Sequence, residues 1–136
     1  MITSVDTNVI LDILAADQKY GPASLRTLKT CQQEGNLVIC EIVLAELSRY
    51  FTQLKNLTDI LNDLDIKVES LGEEACFLAG QAFLTYRMRS GKRDRILPDF
   101  LIGAHAQLRC SRLLTRDRGF YRDYFAHLLV VDPSQF

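Results

Sequence analysis

The chain has no run of the roughly 18 apolar residues that a membrane-spanning helix requires; Ala75–Tyr86 is free of charge but stops well short. Its beginning, MITSVDTNVI, lacks the basic segment of a secretory signal and meets Asp6 at once, so a cytoplasmic chain with no membrane partner is expected. Cysteine is sparse. Cys31, Cys40, Cys76 and Cys110 include no CxxC pair, which argues against a zinc or redox motif and for reduced, mostly buried thiols. Histidine is limited to His105 and His127; His105, in an Ala- and Leu-rich segment, reads as a satisfied helix residue and His127 as a surface one. No internal repeat, low-complexity tract or Pro/Gly-rich linker divides the 136 residues, so a single domain over 1–136 is expected. The chain is 48% hydrophobic and 24% charged, which is ordinary for a globular protein, excludes a disordered one and suffices for one core.

The net charge of −1 says nothing about partners, but its distribution does. Residues 1–86 carry 6 basic and 12 acidic groups, whereas residues 87–136 carry 10 basic and 5 acidic. The basic residues gather at Arg87, Arg89, Lys92, Arg93 and Arg95 and again at Arg109, Arg112, Arg116, Arg118 and Arg122. Arginine forks suit bidentate phosphate contacts, so a nucleic-acid or phosphate surface competes here with a merely solvated face.

Hydrophobic periodicity alternates between short apolar runs and helical spacing. Strands are predicted at Ile2–Asp6, Leu37–Cys40, Ile66–Leu71, Arg112–Thr115 and Leu128–Val131. Helices are predicted at Asn8–Ala16, Ala23–Glu34 after a Gly21-Pro22 break, Ile42–Leu54, Leu57–Leu64, Glu73–Met88, Pro98–Arg109 and Arg118–Tyr124. Alternating strands and helices predict an α/β fold, a small parallel sheet of about five strands with helices on both faces. In such sheets ligands bind beyond the carboxyl ends of the strands.

That rule selects four acids. Asp6 closes the first strand, Glu46 lies in the helix after the second, Asp99 opens the helix before the fourth strand, and Asp117 follows the fourth. Singly, each has an ordinary alternative: Asp6 as a helix cap, Asp99 as a first-turn acid, Glu46 as a boundary residue, Asp117 as a loop ion pair. Together they are harder to dismiss, because two carboxylates ~4 Å apart repel by ~4 kcal/mol at an effective dielectric near ~20. A gathering of four calls for a cation, and an all-oxygen donor set suits Mg2+ or Mn2+. Acids to hold the ion and arginines to hold flanking phosphates explain the two charge clusters jointly.

The segments VDTNVILDIL at 5–14, VLAEL at 43–47, LPDFLIGAHA at 97–106 and LLTRDRGFY at 113–121 resemble, in order, the four blocks of PIN-domain ribonucleases, and most of all the VapC-type toxins of toxin–antitoxin pairs. The resemblance implies a PIN-like domain and a Mg2+- or Mn2+-dependent endoribonuclease. In it Asp6, Glu46, Asp99 and Asp117 are catalytic and Asp6, Asp99 and Asp117 hold the metal. It also implies that Asn8 and Thr115 support the acids by hydrogen bonding, and it implies a homodimer and a cognate antitoxin that blocks the acidic pocket with an Arg or Lys. Arg93, Arg95, Arg116 and Arg118 are the expected RNA contacts. Some members carry a further acid after the fourth strand, where this chain continues Arg118, Gly119, Phe120; Asp117 is thus expected to act on the ion directly or through water. Glu41, near the rim, is a weaker candidate for an outer acid.

The alternatives are a housekeeping RNA-processing nuclease of the same kind and a non-catalytic RNA-binding module. A phosphatase of the haloacid-dehalogenase type also ends its first strand in Asp, but it needs a second Asp where this chain has Asn8. Tyr121, Tyr124 and Phe125 are positioned either to stack on bases or, more commonly, to pack a short helix on the core.

Overall fold

The computed structural model describes residues 1–89 and 94–135. Five parallel strands, β1 (Ile2–Val5), β2 (Asn36–Cys40), β3 (Ile66–Glu69), β4 (Arg112–Leu114) and β5 (Val130–Val131), lie in the order β3-β2-β1-β4-β5. Val5, Ile39, Leu113 and Leu114 are wholly buried, and in β2 burial on both faces gives the continuous apolar run Leu37–Cys40. β1 is central: Ser4 registers with Val38 on one side and Leu113 on the other. The chain steps from β1 outward to β3, then returns across the sheet to β4. The reversal makes the ends of β1 and β4 the switch point of the sheet, the place where open α/β sheets bind ligands.

The helices are α1 (Thr7–Leu14), α2 (Gly21–Glu34), α3 (Glu41–Ser48), α4 (Leu54–Asp63), α5 (Gly72–Arg89), α6 (Leu97–Arg109) and α7 (Arg118–Tyr124). None among the described residues is long and apolar enough to cross a membrane. Several boundaries differ from the sequence expectation, α4 starting at Leu54 and β3 ending at Glu69 among them, and two have clear local reasons. α2 begins at Gly21 instead of after the Gly-Pro pair, because proline is tolerated in a helix's first turn and the Asp17 carboxylate accepts from the backbone N–H groups of Lys19 and Tyr20 just ahead. α3 stops at Ser48, short of the predicted Leu54, as the Ser48 hydroxyl donates back to the Ala45 carbonyl and Arg49 to that of Glu46. Tyr50, inside the predicted helix, lies beyond its actual end and is exposed.

The arginines that are neighbours in sequence scatter in space. Arg112 is buried in β4, donating through Nε to Thr3 Oγ1 at 2.9 Å and pairing with Glu34 at 2.7 Å. It is structural, and the second basic cluster is not one patch.

The core that positions the rim is aromatic. Phe100, fully buried, sits with ring centroids 5.1–6.3 Å from Phe83, Tyr86, Phe120, Tyr124 and Phe125, joining α5, α6 and α7. It fixes the first turn of α6 and therefore Asp99 beside it. α6 comes close to Phe125 only because residue 103 is glycine: a Cβ there would lie 2.4 Å from Phe125 Cε2. Gly103→Ala should destabilise the fold despite gaining ~1 kcal/mol of helix propensity, since overpacking costs roughly 1–3 kcal/mol. Urea unfolding checks this, and an unchanged or raised midpoint would contradict the packing.

Candidate active site

Asp6 follows β1 and is buried. Its backbone N–H donates to the Leu114 carbonyl at 2.9 Å, extending the β1–β4 pairing, and its side chain caps α1 by accepting from the Thr7 N–H at 2.8 Å. Asp6 therefore fills the helix-capping role that the sequence allowed it. The other carboxylate oxygen accepts from Thr115 Oγ1 at 2.7 Å, Asn8 Nδ2 at 3.2 Å and the Tyr121 hydroxyl at 3.3 Å. Even so, burial outweighs these donors and, with the nearby Glu46 charge adding to it, pushes the Asp6 carboxyl up from 3.8 to about 6.

Thr115 and Asn8 form the bracket around Asp6. The Thr115 hydroxyl, besides donating to Asp6, accepts from the Asp117 N–H at 3.0 Å and lies 3.4 Å from Asn8 Nδ2; Asn8 Oδ1 accepts from the Arg116 N–H at 3.3 Å. One hydroxyl at the end of β4 thus aligns both the carboxylate after β1 and the backbone of the loop carrying Asp117.

Glu46 comes in from α3 and is tied to the same turn, with Oε1 accepting from Thr7 Oγ1 at 2.6 Å. Asp99, half-buried in the first turn of α6, accepts from the Ile96 N–H at 3.2 Å. Its carboxyl is raised, chiefly by burial, with the Asp117 charge acting in the same direction and Arg95 against it. Asp117 is gripped by the Arg95 guanidinium, one arm of which reaches Oδ1 at 3.1 Å. That guanidinium also lies over the Phe120 ring, 4.4 Å from its centroid.

Tyr121 faces three of the four acids. The phenol is buried and donates to Asp6, and its own ionisation is pushed well up by burial and by the facing charges of Asp6, Asp99 and Asp117. It remains a neutral donor, packed in the core and not presented to bases. The charge of Glu46 bears on Asp6, that of Asp117 on Asp99, and those of Asp6, Asp99 and Asp117 on this phenol.

The expected RNA contacts are placed differently from one another. Arg95 is held by Asp117. Arg116 is committed to Asp12, bidentate at 2.7 and 3.1 Å, and stacks 3.9 Å above the Tyr20 ring. Arg118 is half-buried and forms no ion pair among the described residues. Arg93 and Lys92 lie outside the described residues. Glu41 does not serve as an outer acid of the rim: it is turned to the start of α5, accepting from the Leu71 N–H at 2.9 Å, because as the first residue of α3 it projects toward β3.

Sequence reasoning does not reach Thr7 or Tyr121 as partners of the acids. Thr7 stands between Asp6 and Asn8 in the motif at 5–14, which is the one available signal; Tyr121 is signalled only by aromatic density.

Residues 4–125 match the PIN domain family. In fold the chain is similar to VapBC2 from Rickettsia felis, solved bound to a DNA fragment from its promoter, at 20% identity over 97% of this chain and 98% of that one, TM-score 0.74. It is also similar to a toxin–antitoxin complex from Klebsiella pneumoniae at 20% identity, covering 96% and 97%, TM-score 0.64. A third likeness is FitAcB from Neisseria gonorrhoeae at 23% identity, covering 100% of both chains, TM-score 0.69. No curated protein sequence gives a significant match.

Proposed function

Because the chain belongs to the PIN-domain family, we propose that it is a Mg2+- or Mn2+-dependent endoribonuclease, the toxin of a cytoplasmic toxin–antitoxin pair. The observation that carries this reading is Asp6. A carboxylate that is buried, supplied with four hydrogen-bond donors and still raised to about 6 is a negative charge waiting for a cation, with three further acids around it.

The donor set fits a hard divalent ion, since it is all oxygen, with no His or Cys among the four acids. Asp6, Asp99 and Asp117 would hold it. A bound Mg2+ or Mn2+ supplies Lewis acidity toward a phosphodiester oxygen and lowers the pKa of water. The chain's own groups do the rest. Thr115, Asn8 and Tyr121 fix the Asp6 carboxylate so that it need not reorganise during reaction. Glu46, oriented by Thr7, is the acid placed to accept a proton from the attacking water. Arg118 and Arg95 hold the flanking phosphates, Arg95 by exchanging Asp117 for RNA. A cationic residue of an antitoxin would enter the same pocket by charge complementarity, and the toxin–antitoxin complex among the fold relatives is in keeping with that. In this reading the toxin is a homodimer, as its resemblance to the VapC-type toxins implies.

The test is chelation. Cleavage of RNA by the purified chain should stop in EDTA and return on adding Mn2+ or Mg2+. Cleavage that continues unchanged in EDTA would overturn the reading. RNA affinity, resting on arginine–phosphate contacts, should fall with salt.

A further inference from the structure

Away from these acids, a second set of donors meets where β3 ends against α6. Glu69 is the last residue of β3, His105 lies in α6, and Cys110 caps that helix; one donor atom from each lies within 4.8 Å of the other two. His105 is completely buried. Its Nε2 is 3.2 Å from Glu69 Oε1, while Nδ1 is buried with no hydrogen-bond partner among the described residues. A His–Glu hydrogen bond accounts for two of the three groups but not for a thiol at the third corner. Glu69 opens onto a cleft of about 610 Å³ lined also by Glu73, Glu74 and Arg109, so solvent and ions have a way in.

We propose that Glu69, His105 and Cys110 form a binding site for Zn2+ or a divalent ion of its class, with the cleft side left for water as a fourth donor. The donor set decides the ion. One imidazole, one thiolate and one carboxylate oxygen suit zinc, whereas the rim of Asp6, Asp99 and Asp117 suits Mg2+ or Mn2+. The Cys110 thiol stands at about 12, raised by burial first and then by the neighbouring Glu69 and Cys40, so without an ion it keeps its proton. Binding releases that proton to solvent, and the two anionic ligands neutralise the divalent charge. Arg109 faces Cys110 and works against a cation, while Glu73 and Glu74 on the cleft wall offset it. The absence of a CxxC pair hides the site in the sequence, because its ligands come from the end of β3, the body of α6 and that helix's C-cap, 36 and 5 residues apart. An ion here would pin the edge strand β3 to α6, the helix that carries Asp99 at its other end.

Co2+ titration of the full chain tests the site without any measurement of RNA cleavage. In both the wild type and D99N, one equivalent should bind with an intense thiolate-to-cobalt charge-transfer absorption, displaced by Zn2+ but not by Mg2+. C110S should lose the band. E69Q, which folds without touching the thiol, should weaken Co2+ by more than the roughly 10–100-fold typical of losing an outer partner. No charge-transfer band, a band that survives C110S, or unchanged affinity in E69Q would each overturn the proposal.

Discussion

Asp99→Asn should lower RNA cleavage by roughly 10²–10³-fold, the scale of removing one electrostatic partner of a transition state, while leaving RNA affinity and stability close to wild type. The fold tolerates the change because the asparagine carbonyl still accepts from the Ile96 N–H, and Phe100 still anchors the turn. Removing a first-turn acid costs roughly 0.3–1 kcal/mol through the helix dipole, and relief of a burial-raised carboxyl offsets part of that. Cleavage assays alongside filter binding separate the readings: a nuclease loses turnover and keeps RNA, whereas a binding module shows no functional change. Full cleavage in D99N, in a protein that folds normally, would remove Asp99 from the catalytic set.

The second large effect is on stability and pH. Asp6 is raised from 3.8 to about 6 in the folded chain. The sign follows directly: folding takes up a proton at this group, so its contribution is fully present below 3.8 and is lost as pH rises through 6. At about 1.4 kcal/mol per pH unit, ionised Asp6 destabilises the metal-free protein by up to about 3 kcal/mol at neutral pH. Asp99 acts in the same direction. His105, held below its ordinary value by burial, tilts the opposite way over an overlapping range, so the informative quantity is the wild type minus D6N. In EDTA that difference should show the wild type losing stability relative to D6N between about pH 4 and pH 7. Mn2+ should restore the wild type at neutral pH and leave D6N unmoved. Urea unfolding at several pH values checks it, and equal pH slopes in the two proteins would refute the assignment of Asp6 as a strained, cation-seeking group.

Much of the fold is legible in the chain because buried parallel strands leave continuous apolar runs such as Leu37–Cys40, and helices leave spaced ones. Boundaries are less so. α3 ends at Ser48 through side chain-to-backbone bonds that compete with the apolar pattern carrying on to Tyr50 and Phe51. At the candidate site, the positions of the four acids are legible, Asp6 and Asp117 after strands, Asp99 at a helix start and Glu46 within the helix after β2. Their settings are not. Glu46 depends on Thr7, a contact 39 residues distant in sequence, and Asp6 depends on Tyr121, 115 residues away. Arg116 and Arg112 look like phosphate ligands until the fold sets Asp12 and Glu34 beside them. The local sequence carries residue chemistry and period; pairings made across the sheet appear only when it closes.

A Mn2+-soaked crystal, examined by anomalous scattering, tests the central claim most directly. The expected result is a strong peak bounded by the carboxylates of Asp6, Asp99 and Asp117 in the wild type, with no such peak in D99N. No peak at that rim at saturating Mn2+, with Asp117 still gripped by Arg95, would contradict a cation-assembled nuclease centre.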